Sequence, residues 1–158
     1  MRKKIVDPPS TQASRDSEQR WLDLEQMATV EVTSEDPDFP IESAFGSNRD
    51  AGWRASQRGD QLIRLIFDRP ISVRRIQLHF REAELERTHE FTVRWSSVGG
   101  GVMNEIVRQQ WNFSPTGSTG EVEDYQVSLD DVSVMELAIK PDLGRQEALA
   151  TLSRWRLA

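Results

Sequence analysis

Two histidines, His79 and His89, and no cysteine are present among the 158 residues. Without thiols, disulfides, thiolate metal sites and cysteine nucleophiles are all excluded. A zinc centre needs three or four converging ligands, and nothing here has that spacing. His79 reads as a side chain on the polar face of a strand, and His89 as a surface residue ending a loop. Glu82, Glu84 and Glu86 are spaced by two. Paired carboxylates can hydrolyse glycosides, but this stretch has no apolar face and reads as a solvated acidic loop. Gly99-Gly100-Gly101 lacks the lysine and helix of a phosphate cradle, and no nucleophile elbow or dinucleotide fingerprint occurs. The chain is therefore expected not to be an enzyme. Aromatic residues are the better lead, because a sugar ring stacks on an exposed aromatic while polar side chains fix its hydroxyls. Trp53, Phe91 and Trp95 fall at inward strand positions and read as core. Trp111 and Phe113 flank Asn112 where a long loop begins.

Composition narrows the partners. The net charge is −6, and 17 of the 20 cations are arginine. A nucleic-acid binder usually carries a basic field, since phosphate contacts supply much of its affinity; this chain has none overall. The arginines are expected to lace strand faces in ion pairs; the alternative reading is that a few gather at a recognition surface. No apolar run approaches a membrane span of roughly 18 residues. The basic start, Met1 to Lys4, has no apolar segment behind it and is not a signal peptide. Cytoplasmic location is the default expectation.

The elements that must position these residues are mostly strands. Residues 1–16, with paired prolines and few apolar side chains, read as a disordered leader, and residues 17–158 as a single domain. Ser17 could cap a short helix running to Met27. From Ala28 the apolar period shifts to two, as in Val30 and Val32. Ser34 to Asp50 is a long loop with turn chemistry. Gly52 to Ser56 reads as a short strand anchored by Trp53. The run Leu62, Ile63, Leu65, Ile66 and Phe67 suits a strand covered on both faces and ending near Pro70. Val73 to Phe80 follows, then strands over Glu90–Ser96 and Glu105–Trp111. Two more are marked by Val122 to Leu129 and Val132 to Ile139, and a last one covers roughly Leu149 to Leu157. Eight or nine short strands without βαβ spacing predict an all-β antiparallel sandwich or jelly roll.

The order of these segments resembles the galactose-binding-like jelly roll of discoidin domains (the C-type domains of coagulation factors) and bacterial sugar-binding modules. Ala44-Phe45-Gly46-Ser47-Asn48-Arg49-Asp50-Ala51-Gly52-Trp53 has the spacing of that family's first long loop. Asp60 to Pro70, Val73 to Leu78 and Ala150 to Leu157 match its later strands. The family braces the loop with a structural calcium held partly by an Asp and a Thr. Here those positions are Gly46 and Ala51, which carry no side-chain oxygen. Calcium takes six to eight oxygen ligands; Asn48, Asp50 and backbone carbonyls could contribute, but the ion is disfavoured. No cofactor or metal is expected.

Strand parity groups the loops. Successive antiparallel connections alternate between the two ends of a sandwich, so loops 81–89, 112–121 and 140–148 should share an end. The triglycine turn should lie at the other. The shared end offers Arg81, Arg87, His89, Trp111, Asn112 and Phe113 as the candidate ligand-binding surface. The resemblance implies a non-catalytic binding module with carbohydrate as ligand. The rival reading is a protein–protein interaction module in a bacterial-type intracellular assembly, favoured by the missing secretion signal.

Overall fold

The computed structural model describes residues 21–46, 52–97, 101–144 and 147–158. The expected leader, the helix cap at Ser17, the candidate calcium ligands Asn48 and Asp50 with Ala51, and most of the triglycine turn lie outside the described residues.

A single helical turn, α1 (Leu24–Met27), leads into β1 (Ala28–Val32). A 3₁₀ turn, Ile41–Ala44, interrupts the long loop before β2 (Trp53–Arg58). Then follow β3 (Gln61–Arg81), β4 (Arg87–Ser97), β5 (Asn104–Phe113) and β6 (Gly120–Lys140). The chain closes with β7 (Leu149–Leu152) and β8 (Arg154–Leu157). All pairings are antiparallel. The main sheet runs β1-β3-β6-β4-β5, β8 joins β3, and β2 pairs with β7.

The sheet folds over on itself to make the sandwich. β6 lies between β3 and β4, yet the Phe80 and Phe91 rings, on β3 and β4, stack with centroids 5.1 Å apart. Two strands separated by a third cannot meet this way in one flat layer. The bend is legible in the ladder: Ile66 pairs with Val134, and the next β3–β6 pair is Ile71 with Val132. Asp131 sits at the join with φ of +55°. The first halves of β3 and second half of β6 thus form one layer with β1, β4 and β5; the remaining halves form the other with β8.

Four sequence expectations are corrected here. The strand does not end at Pro70; it runs on to Arg81, because Pro70 falls in the gap where β6 pairs with nothing and no ladder donor is lost. The two segments expected at Val122 and Val132 are likewise one strand, β6, while the single last strand is split at Ser153 into β7 and β8. Nor is the β3 run covered on both faces: Ile63, Leu65 and Phe67 are buried, whereas Leu62 and Ile66 are half-buried. Beyond the bend the buried parity flips from odd to even, to Ile76, Leu78 and Phe80. Irregular register between Val73 and Arg75 absorbs the extra residue.

The core draws on both layers, with Trp53, Trp155, Phe80, Phe91 and Phe113 among its largest buried side chains. Trp53 and Phe91 are buried as their spacing implied; Trp95 is only half-buried, since the β4–β5 register slips between Val93 and Arg94. Gly52 lets β2 approach β7. Its φ is +69°, and a Cβ there would lie 2.5 Å from the Leu152 carbonyl oxygen. Arginines do lace the strand faces: Arg64 pairs with Glu31 and Glu136, Arg75 with Asp124, and Arg108 with Glu90 and Glu105.

Candidate functional site

Three loops meet at one end of the sandwich: 82–86, 114–119 and 141–148. The Glu82 amide donates to the Thr119 carbonyl at 2.8 Å, and the Leu143 amide to the Thr88 carbonyl at 2.9 Å. Arg87 pairs with Phe113 in the β4–β5 ladder, where the first two of these loops spring from neighbouring strands.

Arg87 holds this end together from beneath. Its Nε lies 2.9 Å from Glu82 Oε1, off the line of a hydrogen bond, so the contact is an ion pair. Nη1 donates to the carbonyls of Pro141 and Leu149 at 3.0 and 3.1 Å, and Nη2 to Thr151 Oγ1 at 3.2 Å. The guanidinium also sits over the Phe113 ring, 5.7 Å from its centroid. One planar fork therefore joins all three loop bases to β7, a geometry that Lys could not reproduce. Burial pulls the Arg87 pKa down, opposed chiefly by the Glu82 charge.

His89 is not at the surface. It lies inside β4, its ring edge-on to Phe80 at 4.6 Å and to Phe113 at 4.8 Å. Its Nε2 is 2.6 Å from Oε1 of Glu121, which is equally buried. Burial, then the Arg87 charge, lowers the imidazole pKa to about 3, so His89 is neutral and shares a hydrogen bond with Glu121 through Nε2. Burial also pushes the Glu121 carboxyl up, while a hydrogen bond from Glu123 works the other way. Glu123 in turn accepts from Tyr125 at 2.9 Å.

The six candidate residues thus divide. Arg87, His89 and Phe113 are buried and brace the end from within. Trp111 is half-buried, its indole N–H donating to Ser118 Oγ at 3.2 Å. Asn112 and Arg81 are exposed. Asn112 Oδ1 accepts from the Thr88 hydroxyl across the ladder. The parity of Phe91 and Val93, extended backward, would have placed His89 and Arg87 inside. The expectation failed because the strand begins at Arg87 and not at Glu90.

Above this braced floor opens a cleft of about 790 Å³, lined by residues of all three loops. Leu85 and Leu143, two of the few large apolar side chains left exposed, line it. Thr88, Asn112 and Ser114 supply neutral hydrogen-bonding groups, and Glu84, Glu86 and Asp142 supply carboxylates. Among the described residues its single cation, Arg87, is already committed to Glu82. The exposed charge of the described lining is therefore negative. A smaller hollow of about 410 Å³ lies across loop 82–86, lined among others by Arg54, Arg81 and Glu147, so Glu84 and Leu85 form a ridge shared by both. Among the described residues no group of His, Asp or Glu could hold a metal ion.

Comparison with solved structures places the architecture. The chain is similar to the family 32 carbohydrate-binding module of NanJ from Clostridium perfringens in complex with galactose, with a TM-score of 0.64 at 14% identity, over 87% of this chain and 96% of that one. It is similar to a module of AlyQ in complex with 4,5-unsaturated mannuronic acid, with a TM-score of 0.61 at 14% identity, over 84% and 95%. It is also similar to reduced XRCC1 bound to the DNA polymerase β catalytic domain, with a TM-score of 0.58 at 14% identity, over 84% and 94%. No protein-family model matches the chain, and no curated protein does. The chain has the galactose-binding-like jelly-roll fold. At these identities the likeness is one of fold, and those three structures hold a neutral sugar, an acidic sugar and a protein.

Proposed function

We propose that this protein is a non-catalytic carbohydrate-binding module that takes a neutral or amino sugar in the loop-end cleft. One observation carries the reading: the cleft brings two exposed leucines together with convergent amide, hydroxyl and carboxylate groups over a floor fixed by Arg87. Leu85 and Leu143 offer the C–H face of a pyranose ring an apolar surface. Asn112, Glu86 and Asp142 accept or donate hydrogen bonds to its hydroxyls, giving the mix of apolar wall and few fixed polar groups typical of a small-molecule site. The carboxylates of the cleft disfavour a uronic or sialic acid, whose own carboxylate would meet no free cation among the described lining residues. The galactose complex of the similar NanJ module supports the sugar class. No residue of the cleft combines a nucleophile with a base, and the buried Glu121 and His89 are closed to a substrate.

The test is a glycan-array screen followed by calorimetry. A neutral or amino sugar should bind at millimolar level or better, and Asn112→Ala or Glu86→Gln should weaken it about tenfold without changing the unfolding temperature. If no sugar binds while a protein partner does, the module serves protein interaction and this reading fails.

A further inference from the structure

The outer face of the second layer carries a cluster the sugar reading does not use. His79 and Arg81 project from the same face of β3, and Arg154 stands directly across the ladder from His79 on β8. Elsewhere on β3, Arg74 has Asp130 as a partner and Arg75 has Asp124. Arg81 and Arg154 form no ion pair among the described residues. Their backbone is fixed: the Thr151 hydroxyl donates to the Arg81 carbonyl at 3.3 Å, and the Ser153 amide to the His79 carbonyl at 2.8 Å.

The third side of the cluster is open by design of the sequence. Gly120 stands across the ladder from Arg81, and the point where a Cβ would sit is 3.8 Å from His79 Nε2. A side chain at position 120 would cover the imidazole edge; glycine leaves a notch there. The cross-strand neighbour of His79 on β6 is Val122, which is exposed and uncharged. The groups facing His79 are therefore Arg81 on β3, Arg154 on β8, and Gly120 and Val122 on β6. One row further lie Gln77 on β3, Asp124 on β6 and Arg156 on β8, and Arg75, a row beyond, pairs with Asp124. Glu121 points into the core, and Glu82 is held by Arg87.

From this arrangement we infer that His79, Arg81 and Arg154, over the notch at Gly120, form a binding site for a sulfate or phosphate oxyanion. Two guanidinium forks supply charge-assisted donors, and the imidazole supplies a third at the centre. The site is separate from the sugar cleft and does not depend on it. Its ligand field has a further consequence. Burial, then the charges of Arg81 and Arg154, lowers the His79 pKa in the free protein. An anion between the three groups reverses the electrostatic part, so binding is coupled to proton uptake by His79 and tightens as pH falls.

The experiment follows the His79 imidazole by NMR while inorganic sulfate, and separately inorganic phosphate, is added at constant ionic strength. Sulfate keeps its charge across the range, so its pH dependence reports the protein alone. A saturable shift with a millimolar dissociation constant is expected, several-fold tighter at pH 5.5 than at pH 7.5, with the His79 pKa rising by about one unit, equivalent to a tenfold change in affinity. Arg81→Gln and Arg154→Gln should each weaken sulfate about tenfold, and Arg81→Lys should restore part of it. Tighter phosphate than sulfate at pH 7.5 would assign a phosphate ester as the physiological group, and the converse a sulfate ester. No saturable shift, an equal shift with chloride, or a shift that survives the double Arg81→Gln, Arg154→Gln variant overturns the site. Arg81 is exposed and Arg154 half-buried, and thermal unfolding checks that each variant keeps the fold.

Discussion

Replacing Arg87 with Met tests whether one buried fork holds the loop end. The change keeps most of the aliphatic stem against Phe113 while removing the charge, the contact to Glu82, and the donors to Pro141, Leu149 and Thr151. Breaking a buried ion pair costs about 3–5 kcal/mol because the partner stays behind uncompensated. Here the Glu82 side chain retains 15% of its exposure, so it can reach water, and the cost falls at the lower end, about 3 kcal/mol. With a urea slope of about 2 kcal/mol per molar for a domain of this size, the midpoint should drop by about 1.5 M. The Arg87→Met, Glu82→Gln double variant removes the stranded charge and should recover about 1–2 kcal/mol. Sugar affinity should be lost in the single variant at temperatures where it is still folded, because the floor of the cleft is no longer fixed. A midpoint shift below about 0.5 M, or a double variant whose cost is the sum of the two singles, would refute the assignment of Arg87 as the common brace.

Other consequences are open to direct measurement. His89 should show no imidazole titration by NMR from pH 8 down to pH 5, since its pKa is held at about 3. The unfolded imidazole takes a proton below about pH 6.5 while the folded one does not, so this group's contribution is complete above that pH and is lost as pH falls toward 3; Glu121, raised by burial, contributes in the opposite sense. His89→Phe should destabilise by about 2–3 kcal/mol at pH 7 and by less at pH 5, where the stranded Glu121 carboxyl can take up a proton; a cost independent of pH would contradict the pairing. Gly52→Ala should cost more than about 2 kcal/mol, read as a fall of several degrees in Tm, whereas Gly59→Ala, also at positive φ but with open space around it, should cost only about 1 kcal/mol.

Much of the fold was readable because two-residue alternation and turn chemistry are local signals. The strands near Val30, Trp53, Ile76, Phe91 and Ile106 follow from them, as does the antiparallel order. The bend was not readable, since whether Pro70 ends a strand depends on whether a partner needs its amide, which is a property of β6 and not of β3. The same limit hid the buried charges. Arg87 and His89 have polar side chains, and polarity in sequence argues for the surface. Their burial depends on partners that the local pattern does not single out: Glu82, five residues before Arg87 in a charged loop, and Glu121, 32 residues after His89. The grouping of the three loops at one end came from strand parity, which survived the errors because β3 and β6 each absorbed two expected strands. The cleft's leucines, Leu85 and Leu143, carried no signal: single apolar residues in charged loops are ordinary until the loops are seen to face each other.

The most direct test is to map the amide shifts of the folded protein as galactose is added. The account predicts a saturable response centred on Thr88, Asn112, Ser114 and Leu143, with Gly120 and the outer face of β3 unmoved. No response at tens of millimolar sugar, or a response confined to residues away from the three loops, would contradict it.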